Sequence, residues 1–263
     1  MQPVRPEFVP ETGLSREAME TQQRAIAADA EFADRFDFEP HEISLAGADH
    51  GQSTLTDEPH EQPIVVGVDQ AFLDDRAISA IVAIQGGEVI ERTHAVTELS
   101  IPYIPGLLAF REGNSIVAAF ETLDCEPDLA VFDGSGRIHY RQAGLATHMG
   151  VVFDLPAVGV AKSLLCGEPR ESVDSRPEGW KTPIEATSQV DCQPGTTVGY
   201  AYQSRQYDSP NRCINPLYVS PGHRVSAETA VDLVAAVGGE YKLPKPTRLA
   251  DQYVDDCKRR LDS

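Results

Sequence analysis

Three acidic residues stand where an apolar strand ends or a helix begins. Asp69 closes the run "IVVGVD", Asp133 closes "DLAVFDG", and Glu112 opens "EGNSIVAAFETLD". In a mixed sheet that pairs the first of these strands beside the fourth, Asp69 and Asp133 project side by side, and Glu112 at a nearby helix start converges on them. Three converging carboxylates repel one another unless a cation joins them. Hard oxygen ligands suit Mg²⁺ or Mn²⁺, and two such ions about 3.5–4 Å apart clamp the attacking water and the leaving oxygen of a phosphodiester. The same positions also suit caps and turns, so the pattern alone leaves both readings open.

Other residue types could complete such a centre. Lys162, just after the run "PAVGVA", is placed either to neutralise charge developing on a phosphate or simply to be solvated at a strand end. His139 in "GRIHYRQ" and His223 in "SPGHRVS" lie in loops beside arginines, which suits phosphate, metal or proton-transfer duty as well as plain exposure. Competing chemistries find no support. The chain has no G-x-x-x-x-G-K-[ST] phosphate loop, no H-E-x-x-H, no dinucleotide fingerprint after a first strand, and no G-x-S-x-G elbow.

The elements that must hold these residues follow from periodicity. "IVVGVD" and "AISAIVAI" (77–84) are short apolar runs of the buried-strand kind, and "EVIERTHAV" (88–96) alternates, joined to the second by Gln85-Gly86-Gly87. Ile116, Val117, Phe120 and Leu123 form one helical stripe; a strand, a helix near 142–150 and another strand follow. The order β-β-β-α-β-α-β predicts an α/β fold: a mixed central sheet, three antiparallel strands and then parallel ones, flanked by helices. Residues 15–36 read as an amphipathic helix, 37–62 as an acidic loop or insertion, and 167–195 as a long loop rich in Pro, Gly and charge. "TTVGYAYQS" and "PLYVSPG" predict two more strands, and Ser226 is a good N-cap for a helix through Val237. The domain organisation expected is an N-terminal segment with its helix (1–36), the acidic loop, a catalytic domain over 63–250 and a tail from 251.

Composition sets the boundary conditions. No run of apolar residues is long enough to cross a membrane and the N-terminus "MQPVRPEFVP" is unlike a signal peptide, so a cytoplasmic protein with no membrane partner is expected. Five cysteines without a C-x-x-C pair suggest neither a disulfide framework nor a thiolate zinc site. The net charge of -19 repels polyanions unless positive charge is locally concentrated or salt screens the excess. On charge alone, nucleic acid is a poor partner.

Ordered blocks reverse that inference. "GVDQAF" with "AISAIVAI", then "PYIPGLLAFRE", "PDLAVFDGSGRIHYRQAGLATHMGVVFDLPAVGVAKSLLCG", "NPLYVSPGHRVS" and "LPKPTRLAD" resemble endonuclease V in the same order, from about Ile64 to Ala250. The resemblance implies a ribonuclease H-like fold and a Mg²⁺-dependent nuclease, with Mn²⁺ as substitute. Such an enzyme finds inosine, the product of adenine deamination, and cuts the second phosphodiester bond on its 3′ side, leaving 3′-hydroxyl and 5′-phosphate ends. The partner is inosine-containing DNA, with RNA as the alternative, and the protein is expected to be a monomer. By motif, Asp69, Glu112 and Asp133 become metal-binding carboxylates with His223 close by, Lys162 meets the scissile phosphate, and His139 lies on the active-site side of the displaced strand. The acidic excess fits a salt-adapted, haloarchaeal-like member, in which Arg111, Arg137, Arg141, Lys162 and Arg224 would supply a local positive face.

The resemblance also gives a use to "PYIPGLLAFREGN". Tyr103, Ile104 and Pro105 would form a wedge entering the helix at the lesion, and the flipped base would sit in a pocket read largely by backbone near Gly106, Leu108 and Gly134, with Arg111 following. Pro102 and Pro105 stiffen that turn. "ISLAGADHGQ" (43–52) imitates the first catalytic strand but lacks the apolar strand that should follow, so Asp69 is preferred to Asp49. Gln70, Tyr140 and the segment 204–213 depart from the family pattern.

Overall fold

The computed structural model describes residues 1–43, 62–99, 101–208 and 212–262. The imitative segment with Asp49 and most of the expected acidic loop lie outside these residues.

The first three strands form a meander: β1 (Val65–Leu73), β2 (Arg76–Gln85) and β3 (Glu88–Glu98) pair antiparallel in turn. Gly86 and Gly87 close the second hairpin with φ of 58° and 79°, a left-handed pair that only glycine adopts without cost. Helix α2 (Leu108–Glu121) leads to β4 (Leu129–Asp133), and α3 (Leu145–Phe153) to β5 (Ala157–Ala161); β4 runs parallel to β1, and β5 parallel to β4. Then β6 (Glu168–Pro169), β7 (Lys181–Glu185), β8 (Thr197–Tyr202) and β9 (Leu217–His223) extend the sheet to nine strands, in the order β3-β2-β1-β4-β5-β9-β8-β7-β6. This is the expected α/β, ribonuclease H-like arrangement.

Alternation along each strand divides the core into two layers. Val66, Val68, Ala130 and Phe132 pack with Ile116, Phe120, Met149 and Phe153 of α2 and α3 on one face. Val65, Val131, Val158 and Val160 pack with Val231, Leu233 and Val234 of α4 (Ala227–Ala236) on the other. The final helix α5 (Lys245–Leu261) lies on that second face against β1 and β2, through Val254 and Cys257 on Leu73 and Ile78. Its approach is very close: a Cβ at Gly67 would stand 2.1 Å from the carbonyl of Pro246, so β1 tolerates no side chain there.

Several boundaries differ from the sequence expectation. Helix α1 spans Arg16–Asp29 and stops short of 36, because the next residues bond instead to the end of β9: Arg224 N–H donates to Glu31 O and Arg35 N–H to Arg224 O. The 167–195 loop contains β6 and β7, which the Pro and Gly content concealed. The boundary expected at residue 250 falls inside α5, and the Met1 ammonium donates to Phe120 O, so both termini pack on the same body. No helix among the described residues is long and apolar enough to cross a membrane.

Candidate active site

The parallel register Val68↔Phe132 brings Asp69 and Asp133 to the same end of adjacent strands. Gly67 faces α5, and side chains two residues apart on a strand share a face, so Asp69 also points towards that helix. Glu112 reaches in from the opposite layer, in the second turn of α2. Lys162 follows the last residue of β5 and donates to Asp133 Oδ2 at 2.6 Å.

Both inner carboxylates are nearly sealed from water, Asp69 at 6% and Glu112 at 5% exposure. Burial lifts the Asp69 carboxyl to about 8, reinforced by the charges of Asp133 and Asp251, with the Gln70 N–H and Lys162 opposing. Glu112 is lifted to about 8 by burial, with Arg111 opposing and Asp133 adding to the rise. Burial pulls the Lys162 ammonium down, but its Asp133 hydrogen bond and the charges of Asp133, Asp69 and Asp251 outweigh that and raise it. Asp251 was not singled out by the sequence. It ends the block "LPKPTRLAD", inside a charge-rich helix with no strand end or turn to mark it, and only the docking of α5 on Gly67 brings its charge to Asp69.

Among the described residues no three His, Cys, Asp or Glu side chains stand close enough to hold one ion as they are. The donor chemistry nonetheless suits a hard cation. The groups around Asp69 are oxygen donors, they outnumber the neighbouring ammonium, and burial, reinforced by the Asp133 charge, holds Asp69 and Glu112 away from their charged form.

Beside the carboxylates, on the α2/α3 face, lies a cavity of about 170 Å³ lined by Tyr103, Gly106, Leu108, Gly134, His139 and Leu145, among others. It is smaller than the 300–1,000 Å³ or so of drug-sized sites and suits a single ring system. At its mouth Tyr103 is 64% exposed and Pro105 is also exposed, while Ile104 roots the turn against Met19, Leu107 and Phe110. Neither helix that starts at the cavity has a side-chain cap: Leu107 precedes α2 and Gly144 precedes α3. First-turn N–H groups at Leu108 and Leu145 therefore have no intrahelical acceptor.

His139 belongs to the cavity rather than to the carboxylates. Its Nδ1 accepts from the Arg141 N–H at 3.2 Å, which leaves Nε2 to donate to Gly106 O at 3.0 Å, and burial lowers its pKa to about 4. It is a neutral brace under the Gly106 turn. Gln23 Nε2 donates to the same carbonyl at 2.9 Å and Arg141 Nη2 at 3.3 Å.

His223 is a correction. In the antiparallel pairing of β5 and β9, His223 faces Ala157, the first residue of β5, whereas Lys162 follows its last. That separates them by roughly 16 Å at about 3.3 Å per residue. There His223 donates from Nε2 to Asp154 at 3.1 Å and accepts the Glu31 N–H on Nδ1.

The expected positive face also largely dissolves. Arg141 contacts Gln23 and Glu20, Arg137 stacks on Phe32 and bonds Gln142, and Arg224 pairs with Asp154 beside His223. Arg111 lies 4.5 Å over the Phe72 ring with its buried Nε unpartnered among the described residues.

Comparison with known proteins is consistent along the whole chain. The family model for endonuclease V matches residues 50–252. Endonuclease V of Haloarcula marismortui is 58% identical over 267 residues, covering 99% of this chain and 98% of that one. The crystal structure of endonuclease V from Streptomyces avermitilis superposes with a TM-score of 0.74 at 30% identity, covering 95% of each chain. That of Ciona intestinalis, in complex with a 24-mer DNA containing an inosine followed by a ribo-adenosine, gives a TM-score of 0.67 at 22% identity, covering 92% of this chain and 96% of that one.

Proposed function

The chain belongs to the endonuclease V family, and is thus a nuclease acting on phosphodiester bonds; on that premise we propose that it is a salt-adapted repair enzyme for deaminated adenine. It recognises inosine in DNA and hydrolyses the second phosphodiester bond 3′ to it, leaving 3′-hydroxyl and 5′-phosphate ends, as a cytoplasmic monomer. The observation that carries this reading is the adjacency of a base-sized cavity, an exposed aromatic wedge and a set of buried carboxylates at one end of one sheet. The ligand of the Ciona complex supports the choice of lesion.

The wedge and cavity divide recognition between them. Tyr103, Ile104 and Pro105 take up the stack as the base leaves it, replacing part of a stacking loss of a few kcal/mol. The flipped base meets uncapped N–H groups at Leu108 and Leu145 and backbone at Gly106 and Gly134. Hypoxanthine presents a carbonyl acceptor where adenine presents an amino donor. An amino group facing N–H donors leaves both unsatisfied, so adenine is rejected where hypoxanthine is held.

At the cut bond, Asp69, Glu112 and Asp133, joined by Asp251, would hold a divalent ion such as Mg²⁺. Bound there, it would lower the pKa of water and polarise the phosphate. Lys162 holds an ammonium against Asp133 and is free to pivot onto a non-bridging phosphate oxygen, offsetting charge that develops there. The braced Gly106 turn fixes the base and thereby the register of the strand, so that the second phosphate beyond it falls at the carboxylates.

The test is nicking of an inosine-containing duplex by purified protein with Mg²⁺ at molar salt, with inosine-RNA and an undamaged duplex alongside. Cleavage confined to the inosine strand, one nucleotide beyond the lesion, is the expected result. Absence of nicking in every salt and metal condition, or equal cutting of the undamaged duplex, overturns it.

A further inference from the structure

We propose that Tyr241, Lys242 and Arg248 form a landing platform for the nucleotides immediately 3′ of the cut bond, two cations holding phosphates and the exposed ring stacking a base. This rests on the function just proposed and adds to it where the strand goes after the active site.

A protein of net charge -19 needs local cations to hold a polyanion, yet most near the site are already matched: Lys162 with Asp133, Arg141 with Glu20, Arg24 with Asp191. Lys242 and Arg248 differ. Neither makes an ion pair with an acidic residue among the described residues. The Arg248 guanidinium instead lies 4.2 Å from the centroid of Tyr241, whose side chain is 57% exposed. An exposed ring beside a guanidinium is the arrangement on which single-stranded nucleic acid stacks.

Position argues for the same ligand. Arg248 precedes Asp251 by three residues on α5, so the two are neighbours on the helix surface. The Lys242 carbonyl accepts from Ser204 Oγ at 2.6 Å, just beyond the end of β8, at the same end of the sheet as Lys162. Burial and the Lys162 charge together lower the Lys242 ammonium, which places the two cations within each other's field.

Topology supplies the direction. The base cavity lies on the α2/α3 face, Asp69 and Asp133 stand at the sheet end, and the platform lies on the α4/α5 face. A strand seated in the cavity and crossing the carboxylates emerges over α5. Because the cut is 3′ of the base, the emerging part is the 3′ flank.

The experiment compares inosine strands that end just past the cut with strands that run several nucleotides further, measuring kcat and KM for the parent, Tyr241→Ala, Tyr241→Phe, Lys242→Gln and, as a cation-removal control, Arg259→Ala. Arg259 is exposed at the far end of α5 and paired with Asp256. The parent should bind the longer strands more tightly. Tyr241→Ala and Lys242→Gln should each raise KM on them roughly tenfold with kcat nearly unchanged. Tyr241→Phe should retain the gain and Arg259→Ala should behave as the parent. A parent that cuts inosine with no dependence on 3′ flank, or a Tyr241→Ala that loses equally on both lengths, overturns the platform alone. A parent that cuts no inosine substrate overturns the function on which it rests.

Discussion

The two ends of the central sheet gather the same residue types and treat them in opposite ways. At the β5-start end, His223 donates to Asp154, accepts from Glu31, and has Arg224 paired to the same carboxylate at 2.9 Å. Most donors and acceptors close on one another there, His223 and Arg224 both lying against the Asp154 carboxylate. At the other end, Asp69, Asp133 and Asp251 share the field of the Lys162 ammonium, Glu112 has the Arg111 charge opposing its burial, and the carboxyls of Asp69 and Glu112 are still lifted to about 8. A cluster of His, Asp and Arg is therefore not a functional sign in itself; the sign is a charge deficit that the chain leaves uncorrected.

Substitutions should separate the two ends cleanly. The largest effect is on activity: Asp69→Ala should lower the single-turnover cleavage rate by about a thousandfold or more, while leaving the folded protein at least as stable without metal, since it removes a buried carboxyl. His223→Ala should do the reverse. It leaves the Glu31 N–H without its acceptor and removes one of the two partners of the Asp154 carboxylate, costing about 1–3 kcal/mol, or several degrees of Tm, while kcat of the folded protein stays unchanged. A His223→Ala protein that is fully folded but inactive would collapse the contrast.

The pH dependence sharpens it. Carboxyls whose folded pKa is raised contribute stability that is lost as pH climbs from about 4 to about 8, so the metal-free protein should melt earlier at pH 8.5 than at pH 6 on account of Asp69 and Glu112. Added Mg²⁺ should restore most of that loss in the parent and little of it in Asp69→Asn; equal recovery in both would point to general screening of the acidic surface. The buried histidines work on the acid side. His139 and His148 are both depressed to about 4, so their contribution is present above the unfolded value of about 6.5 and lost as pH falls towards 4. Replacing His148, whose Nε2 donates to Phe8 O, should flatten that acid limb slightly in a thermal melt across pH 4–7.

How much of this could be read from the chain depends on the kind of signal each part leaves. Strands β1 to β5 and helix α2 were legible because buried runs of Val, Ile and Ala carry their own periodicity; Asp133 followed as the last residue of β4, whereas Asp69, expected to close β1, lies within it, because β1 stays paired with β2 as far as Leu73. His223 was misplaced for a geometric reason: a strand end is visible in sequence, but which end of the sheet it reaches is set by pairing direction, and β9 runs against β5. Asp251 left no local mark, because α5 is charged over most of its surface and its role arises only from the bare backbone of Gly67 far upstream. The 167–195 strands were hidden by composition, Pro183 being accommodated within β7 itself.

One oxygen sets an order of assembly. The Gly106 carbonyl collects Gln23 from 83 residues upstream, His139 from 33 downstream and Arg141 from 35, while Gln23 also reaches Ala143 across 120 residues. The Gln23 contacts, the most distant of these in the chain, close late, after the meander and α2 have formed, because they require the longest loops to be fixed first. A nascent or partly unfolded chain can thus possess its sheet and its carboxylates without yet possessing the cavity wall that tells one base from another. Discrimination matures last, and loosening α1 should cost fidelity before it costs the fold.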